Sequence, residues 1–216
     1  MSEIEAGNIA DLDAVAGCCR ILGALFYYPP DNAAVAPILA ILREGHWPQS
    51  WPFGAPDELD RIGANMAASL KRPDMMESLI EEHQRLFIGP DHLDAPPWGS
   101  VYLDEEGTLF GDSNLALCRF LDAEGVILQT MQREPEDHFG LLFWAAAWLA
   151  EAGRPVALRR LLDEHILNWS EAYLKLFAKA ARQPFYQALE RLASLSLNSL
   201  QTCHFQTSGG IPPTSA

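Results

Sequence analysis

The chain has 216 residues, with 15 Lys and Arg against 29 Asp and Glu for a net charge of −14, and 49% of it is hydrophobic. A chain of this size buries about 70% of the surface its unfolded form exposes, enough for one sizeable core. The acidic balance excludes nucleic acid or an anionic membrane surface as the main partner, since both require a cationic face, and it favours a cationic partner instead.

Of the four cysteines, Cys18 and Cys19 are adjacent and Cys118 and Cys203 stand alone. This is neither zinc spacing nor a small-protein disulfide framework, and it fits a reducing cytoplasm. Met1 to Asp13 carries four acids and no Lys or Arg, unlike an export signal. The longest uncharged apolar run, Phe139 to Ala150, is twelve residues; about 20 are needed to cross a bilayer, so it reads as a buried helix and no stable membrane insertion is expected.

In chain order, apolar residues at Ile9, Leu12, Val15, Cys19, Leu22 and Phe26, with a second face of Ala14, Cys18, Ile21, Leu25 and Tyr28, predict a helix buried on two sides. Pro29-Pro30 ends it. A second helix runs from Asp31 through Leu42, and its Pro37 sits in the first turn or kinks the helix. Gly45 to Pro56, rich in Pro, Gly and Trp, reads as a ring-anchored loop. Asp57 is the expected cap of the next helix, to Leu70. An amphipathic helix follows over Met75 to Phe87, between Pro73 and Gly89-Pro90.

Residues 89–111 hold three prolines, four glycines and no helical period. A long irregular insert is usually functional or disordered, and its Leu, Trp, Val, Tyr and Phe side chains argue for order. An extended pair around Val101 to Phe110 is the one strand candidate. A helix resumes at the Asp112 cap and stops at Gly125. Pro135, flanked by Glu134, Glu136 and Asp137, is expected to open the most apolar helix, ending near Gly153. Pro155 starts another to about Leu167, Asn168 and Glu171 form a capping-box spacing for a helix through Ala181, and Pro184 starts the last, through about Leu200. The class is all-α: a single domain over residues 1–200, a bundle of eight or nine helices around a long ordered central loop, with 201–216 a flexible tail.

Several chemistries can be weighed on the residues. Gly111-Asp112-Ser113 resembles the Gly-Asp-Ser turn of a serine esterase family, but that chemistry needs a histidine placed by an acid, and the Asp-x-x-His that supplies it there does not occur here. Glu-x-x-His and His-Glu-x-x-His metal spacings are also missing, and no phosphate-loop or dinucleotide fingerprint is present. His83 falls on the apolar face of its helix, as a core or pocket histidine does. Asp137-His138 after Glu134-Pro135 is the polar cluster of most interest. It reads as an ordinary acidic helix start or as a carboxylate pair for a guanidinium, with the imidazole bracing a loop.

The blocks Leu86-Phe87-Ile88-Gly89-Pro90, Ala95-Pro96-Pro97-Trp98-Gly99-Ser100-Val101-Tyr102, Leu109-Phe110-Gly111-Asp112-Ser113 and Glu134-Pro135-Glu136-Asp137-His138, in that order and spacing, closely resemble the TorD/DmsD family of redox-enzyme maturation chaperones, in particular the branch serving dimethyl-sulfoxide-reductase-type enzymes. The resemblance runs from about Val15 to Leu200. It implies an all-helical protein that is not an enzyme and carries no cofactor or metal. Such a protein binds the twin-arginine signal peptide of a molybdenum reductase precursor in the cytoplasm, holding it back from the twin-arginine translocase until the cofactor is inserted.

The peptide-binding surface implied by the resemblance falls on Leu86, Phe87, Trp98, Gly99, Ser100, Tyr102, Glu134, Asp137 and His138. Glu134 and Asp137 are the candidates for the two arginines, and Leu86, Phe87, Trp98 and Tyr102 for the apolar stretch behind them. His83 and Asp91 stand where relatives often carry a ring, making the groove more polar here. The competing expectations are a hydrolase using Ser113 and a plain helical adaptor whose rings are only core.

Overall fold

A computed structural model describes residues 9–89, 92–105, 107, 109–128 and 134–206. The helices are α1 (Leu12–Tyr27), α2 (Ala36–Glu44), α3 (Pro56–Leu70), α4 (Met75–His83), α5 (Ser100–Leu103, one turn), α6 (Asp112–Glu124), α7 (Phe139–Glu151), α8 (Pro155–Leu161), α9 (Leu167–Ala180) and α10 (Pro184–Thr202). A short 3-10 turn, Trp47–Ser50, follows α2.

The two helices with the least polar surface meet along their lengths. α1 packs on α7 as the most extensive helix pair among the described residues. Their axes come close because Gly23 and Gly140 face each other: a β-carbon on Gly140 would lie 2.9 Å from the Gly23 carbonyl oxygen and 2.9 Å from Tyr27 Cβ. Beneath this crossing, Phe26 meets Phe139 edge-to-face with ring centroids 4.9 Å apart and Phe177 at 5.5 Å, and Phe139 meets Tyr173 at 4.8 Å. Edge-to-face pairs of this kind add about 0.5–1.5 kcal/mol each to the apolar burial. α10 lies against α3 and α9, and α2 against α3, closing a single core.

Several boundaries differ from the expected ones for identifiable reasons. Pro37 is in the first turn of α2, where its missing N–H costs nothing. α3 begins one residue early at Pro56, with Asp57 inside its first turn. At the start of α6, Gly111 is the cap and Asp112 the first helical residue. α4 continues through a π segment, Gln84–Ile88. A second π segment, Leu162–Ile166, joins α8 to α9, so the expected break before Asn168 is absent and the Asn168 amide instead donates to the Glu164 carbonyl one turn back. α7 begins at Phe139 rather than Pro135, because His138 caps it, its Nδ1 accepting from Gly140 N at 3.1 Å. No strand pair forms over Val101–Phe110 in the described residues; the chain there turns through α5. The described part of the C-terminal tail is ordered: His204–Gln206 (β2) pairs in parallel with Ile9–Asp11 (β1). The rest of the tail lies outside the described residues.

A buried carboxylate ties α4 to the start of α10. Glu82, 5% exposed, pairs with Arg85 at 2.8 Å and accepts from the backbone N–H of Arg182 and Gln183. Burial pushes its pKa up, but Arg85 and the two amides outweigh it, so the net shift is downward. A carboxylate depressed in the folded state contributes stability that is present above its unfolded pKa, about 4.3, and is lost as pH falls through the folded value. Glu82→Gln should therefore flatten the acid limb of a stability-against-pH curve measured by urea denaturation between pH 3 and 6. An unchanged slope would mean that Glu82 is not linked to folding.

Candidate functional site

The expected site residues lie on three stretches of chain that the fold brings together. The 97–100 segment is held against the entry to α7 by backbone pairing: Trp98 and His138 form an isolated antiparallel bridge, Phe139 N donates to Pro97 O at 2.7 Å, and Gly99 N donates to Asp137 O at 3.2 Å. The Asp137 carboxylate accepts from Ser100 N at 2.6 Å. Gly99 fits because the Trp169 indole lies beneath it, and a β-carbon there would sit 2.9 Å from Trp169 Nε1. Tyr102 stacks on Trp169 at 5.4 Å and donates its hydroxyl to Pro96 O.

The acids of the 134–137 cluster face different ways. Asp137 is 3% exposed, and burial raises its pKa against the Ser100 N–H hydrogen bond that lowers it. Its carboxylate braces the loop from inside instead of facing solvent. Glu134 is half-buried and accepts from Trp98 Nε1 at 2.6 Å. Burial and the neighbouring Asp137 push its pKa up while the indole N–H opposes them. The carboxylate pair anticipated for two arginines is thus split between a rim and a foundation.

Glu134 lies at a pocket of about 280 Å³ that is also lined by Tyr27, Tyr28, His83, Phe87 and His138, with Ile88, 60% exposed, beside them. Of the expected residues, the pocket gathers Phe87, Glu134 and His138; Trp98 reaches it through Glu134. Leu86, Gly99 and Ser100, which are buried, and Tyr102, which is half-buried, do not line it, and Asp91 lies outside the described residues. The end of α1 was missed by sequence reasoning, although a Tyr-Tyr pair stopping a helix at Pro-Pro offered a signal. Tyr28 also lines a second, more open trough of about 540 Å³, formed by Ala24 and Arg20 one and two turns back on α1, Trp144 and Trp148 on α7, Ile38, and Val126 to Leu128. Ile127 in that trough is 83% exposed.

The alternative chemistries find no support. Ser113 donates its hydroxyl to Asp104 Oδ2 at 2.7 Å and its backbone N–H to Asp104 Oδ1 at 3.1 Å, which is a brace at the start of α6. Among the described residues no group of His, Cys, Asp and Glu could hold a metal ion, and no helix is long and apolar enough to cross a membrane. The four cysteines are free.

A helical domain with an aromatic pocket, one rim carboxylate and a largely apolar trough beside it has the features of a binding protein. The family model described as "Nitrate reductase delta subunit" matches residues 54–175. The chain is 45% identical over 189 residues to the Tat proofreading chaperone DmsD of Salmonella typhi, covering 88% of this chain and 90% of that one. It is 23% identical over 183 residues to the chaperone protein TorD of Shewanella pealeana, covering 80% and 81%. A solved structure of a candidate redox enzyme maturation protein from Archaeoglobus fulgidus shares the fold with TM-score 0.52 at 17% identity, covering 89% of this chain and 99% of that one. The chain belongs to the TorD/DmsD family of redox-enzyme maturation chaperones. The hydrolase reading has no counterpart among these relatives.

Proposed function

We propose that the protein is a cytoplasmic chaperone that binds the twin-arginine signal peptide of a molybdenum-cofactor oxidoreductase of the dimethyl-sulfoxide-reductase type and keeps the precursor from the translocase until its cofactor is in place. The observation that carries this reading is the half-buried Glu134, fixed by Trp98 at 2.6 Å on a pocket that shares Tyr28 with a second, largely apolar trough. A twin-arginine leader has guanidinium groups followed by an apolar stretch, and the two halves of the site have the matching order. Arg20, Ala24 and Tyr28 recur every four residues along α1, and Trp144 and Trp148 do so on α7, so the trough between them suits an apolar peptide segment laid lengthwise. The net charge of −14 speeds encounter with a basic leader, an effect that shrinks in salt. Contact with translocase components belongs to the same reading.

Calorimetric titration of a reductase leader peptide tests this. Ile127→Asp should weaken binding about tenfold, since one exposed aliphatic side chain buried on binding contributes about 1.5 kcal/mol, with helix content unchanged. Wild-type affinity in that variant would exclude the second trough from the contact.

A further inference from the structure

The pocket beside Glu134 contains a polar atom that the fold leaves unsatisfied. His83 is 2% exposed, its ring lies at 4.7 Å from that of Phe87 in the pocket wall, and its Nε2 has no hydrogen-bond partner among the described residues. An unpaired buried polar group costs about 1–3 kcal/mol, which a ligand group filling the pocket recovers. Burial holds the imidazole pKa down to about 4, against the opposing pull of Asp31, and that of His138 down to about 3. Both rings are therefore neutral at pH 7. They are not equivalent: His138 spends Nδ1 on the N–H of Gly140, which leaves its proton on Nε2. His83 offers an accepting Nε2 in the tautomer that carries its proton on Nδ1.

The occupant must suit a carboxylate on one wall, a neutral nitrogen acceptor on another and rings between them. An anion would face Glu134. An ammonium concentrates three donors at one point, whereas a guanidinium spreads five N–H groups in a plane, reaches separate acceptors and lays its faces on aromatic rings, here those of Tyr27, Tyr28 and Phe87. A volume of about 280 Å³ lies just under the roughly 300–1,000 Å³ of sites for drug-sized ligands, a size for one or two side chains rather than a whole helix.

We infer that this pocket seats one arginine of the leader, its guanidinium shared between the Glu134 carboxylate and His83 Nε2, so that His83 is a residue that separates arginine from lysine. The inference rests on the leader-binding reading. The test titrates wild type, His83→Phe and His83→Gln with the Arg-Arg leader and with its Lys-Lys counterpart, and follows the His83 imidazole ¹⁵N resonances of wild type during the Arg-Arg titration. Wild type should prefer Arg-Arg by tenfold or more. His83→Phe should lower that ratio at least fivefold with Lys-Lys affinity nearly unchanged, His83→Gln should keep part of it, and the Nε2 resonance should shift on saturation. An unchanged Arg-to-Lys ratio in His83→Phe overturns the inference while leaving leader binding intact. If the variants do not fold, an unmoved Nε2 resonance at saturation overturns it. Wild type binding neither peptide overturns the leader-binding reading and the inference with it.

Discussion

Glu134→Gln should weaken binding of a twin-arginine leader about thirtyfold at pH 7, with the thermal midpoint of the protein nearly unchanged. The substitution keeps the shape and the acceptor for the Trp98 indole, whose N–H now bonds Glu134 Oε1 at 2.6 Å, and removes only the charge. Removing one partner of a partly buried ion pair costs about 2 kcal/mol or more, which corresponds to that loss. The pH dependence has a definite sign. Burial and Asp137 raise the pKa of Glu134 in the free protein, and a bound guanidinium favours the ionised form, so affinity should begin to fall on acidification above the ordinary glutamate range and the Gln variant should lack that limb. The other titratable groups around the pocket are Tyr27, Tyr28, Asp31, His83, Asp137 and His138. Both histidines charge only near pH 3–4, below that limb. Calorimetric titrations of both proteins from pH 5 to 8 measure it; coincident profiles would remove Glu134 from the contact.

Gly140→Ala should destabilise the fold by about 3 kcal/mol. The added methyl would meet the Gly23 carbonyl oxygen and Tyr27 Cβ, both at 2.9 Å, and neither is the end of a side chain that can swing away. Overpacking of a tight core typically costs 1–3 kcal/mol, and this contact presses backbone on backbone. For a protein of this length the change corresponds to a fall of about 6–12 °C in thermal midpoint. The same movement would displace Tyr27 and Tyr28 from the pocket, so leader affinity should fall along with stability. Scanning calorimetry with a parallel titration checks both, and a midpoint within 2 °C of wild type would show that α1 can slide on α7 at little cost.

Helices whose signals are local were legible in the chain. α1 carries apolar residues on two faces, α7 is apolar all round, and proline marks the starts of α8 and α10. The misplaced boundaries were those where a non-local or unusual bond decides. The junction of α8 and α9 looked like a stop and a cap, yet a π segment carries the helix through because Leu162, Ile166 and Trp169 all find places in the core. The start of α7 moved to Phe139 because the Trp98–His138 bridge and the Asp137 carboxylate fix residues 135–138 in a turn, closed by His138 N donating to Pro135 O. β2 was unreadable because its partner strand lies almost two hundred residues away.

For the site, the residues alone singled out the 134–138 polar cluster, since Arg recognition calls for carboxylates, and the family resemblance added the 86–87 and 98–102 blocks. Chemical type does not carry direction, however. Two acids three residues apart in the chain ended on opposite sides of one loop: Asp137 went under the backbone of Ser100, and Glu134 to the rim. By itself the sequence determined the all-helical class and the acidic balance, because composition, helical period and proline placement act over a few residues. Which carboxylate faces the pocket, which histidine nitrogen lacks a partner among the described residues, and the meeting of two cavity walls at Tyr28 were decided by the tertiary structure, because burial and hydrogen-bond partners are set by segments far apart in the chain.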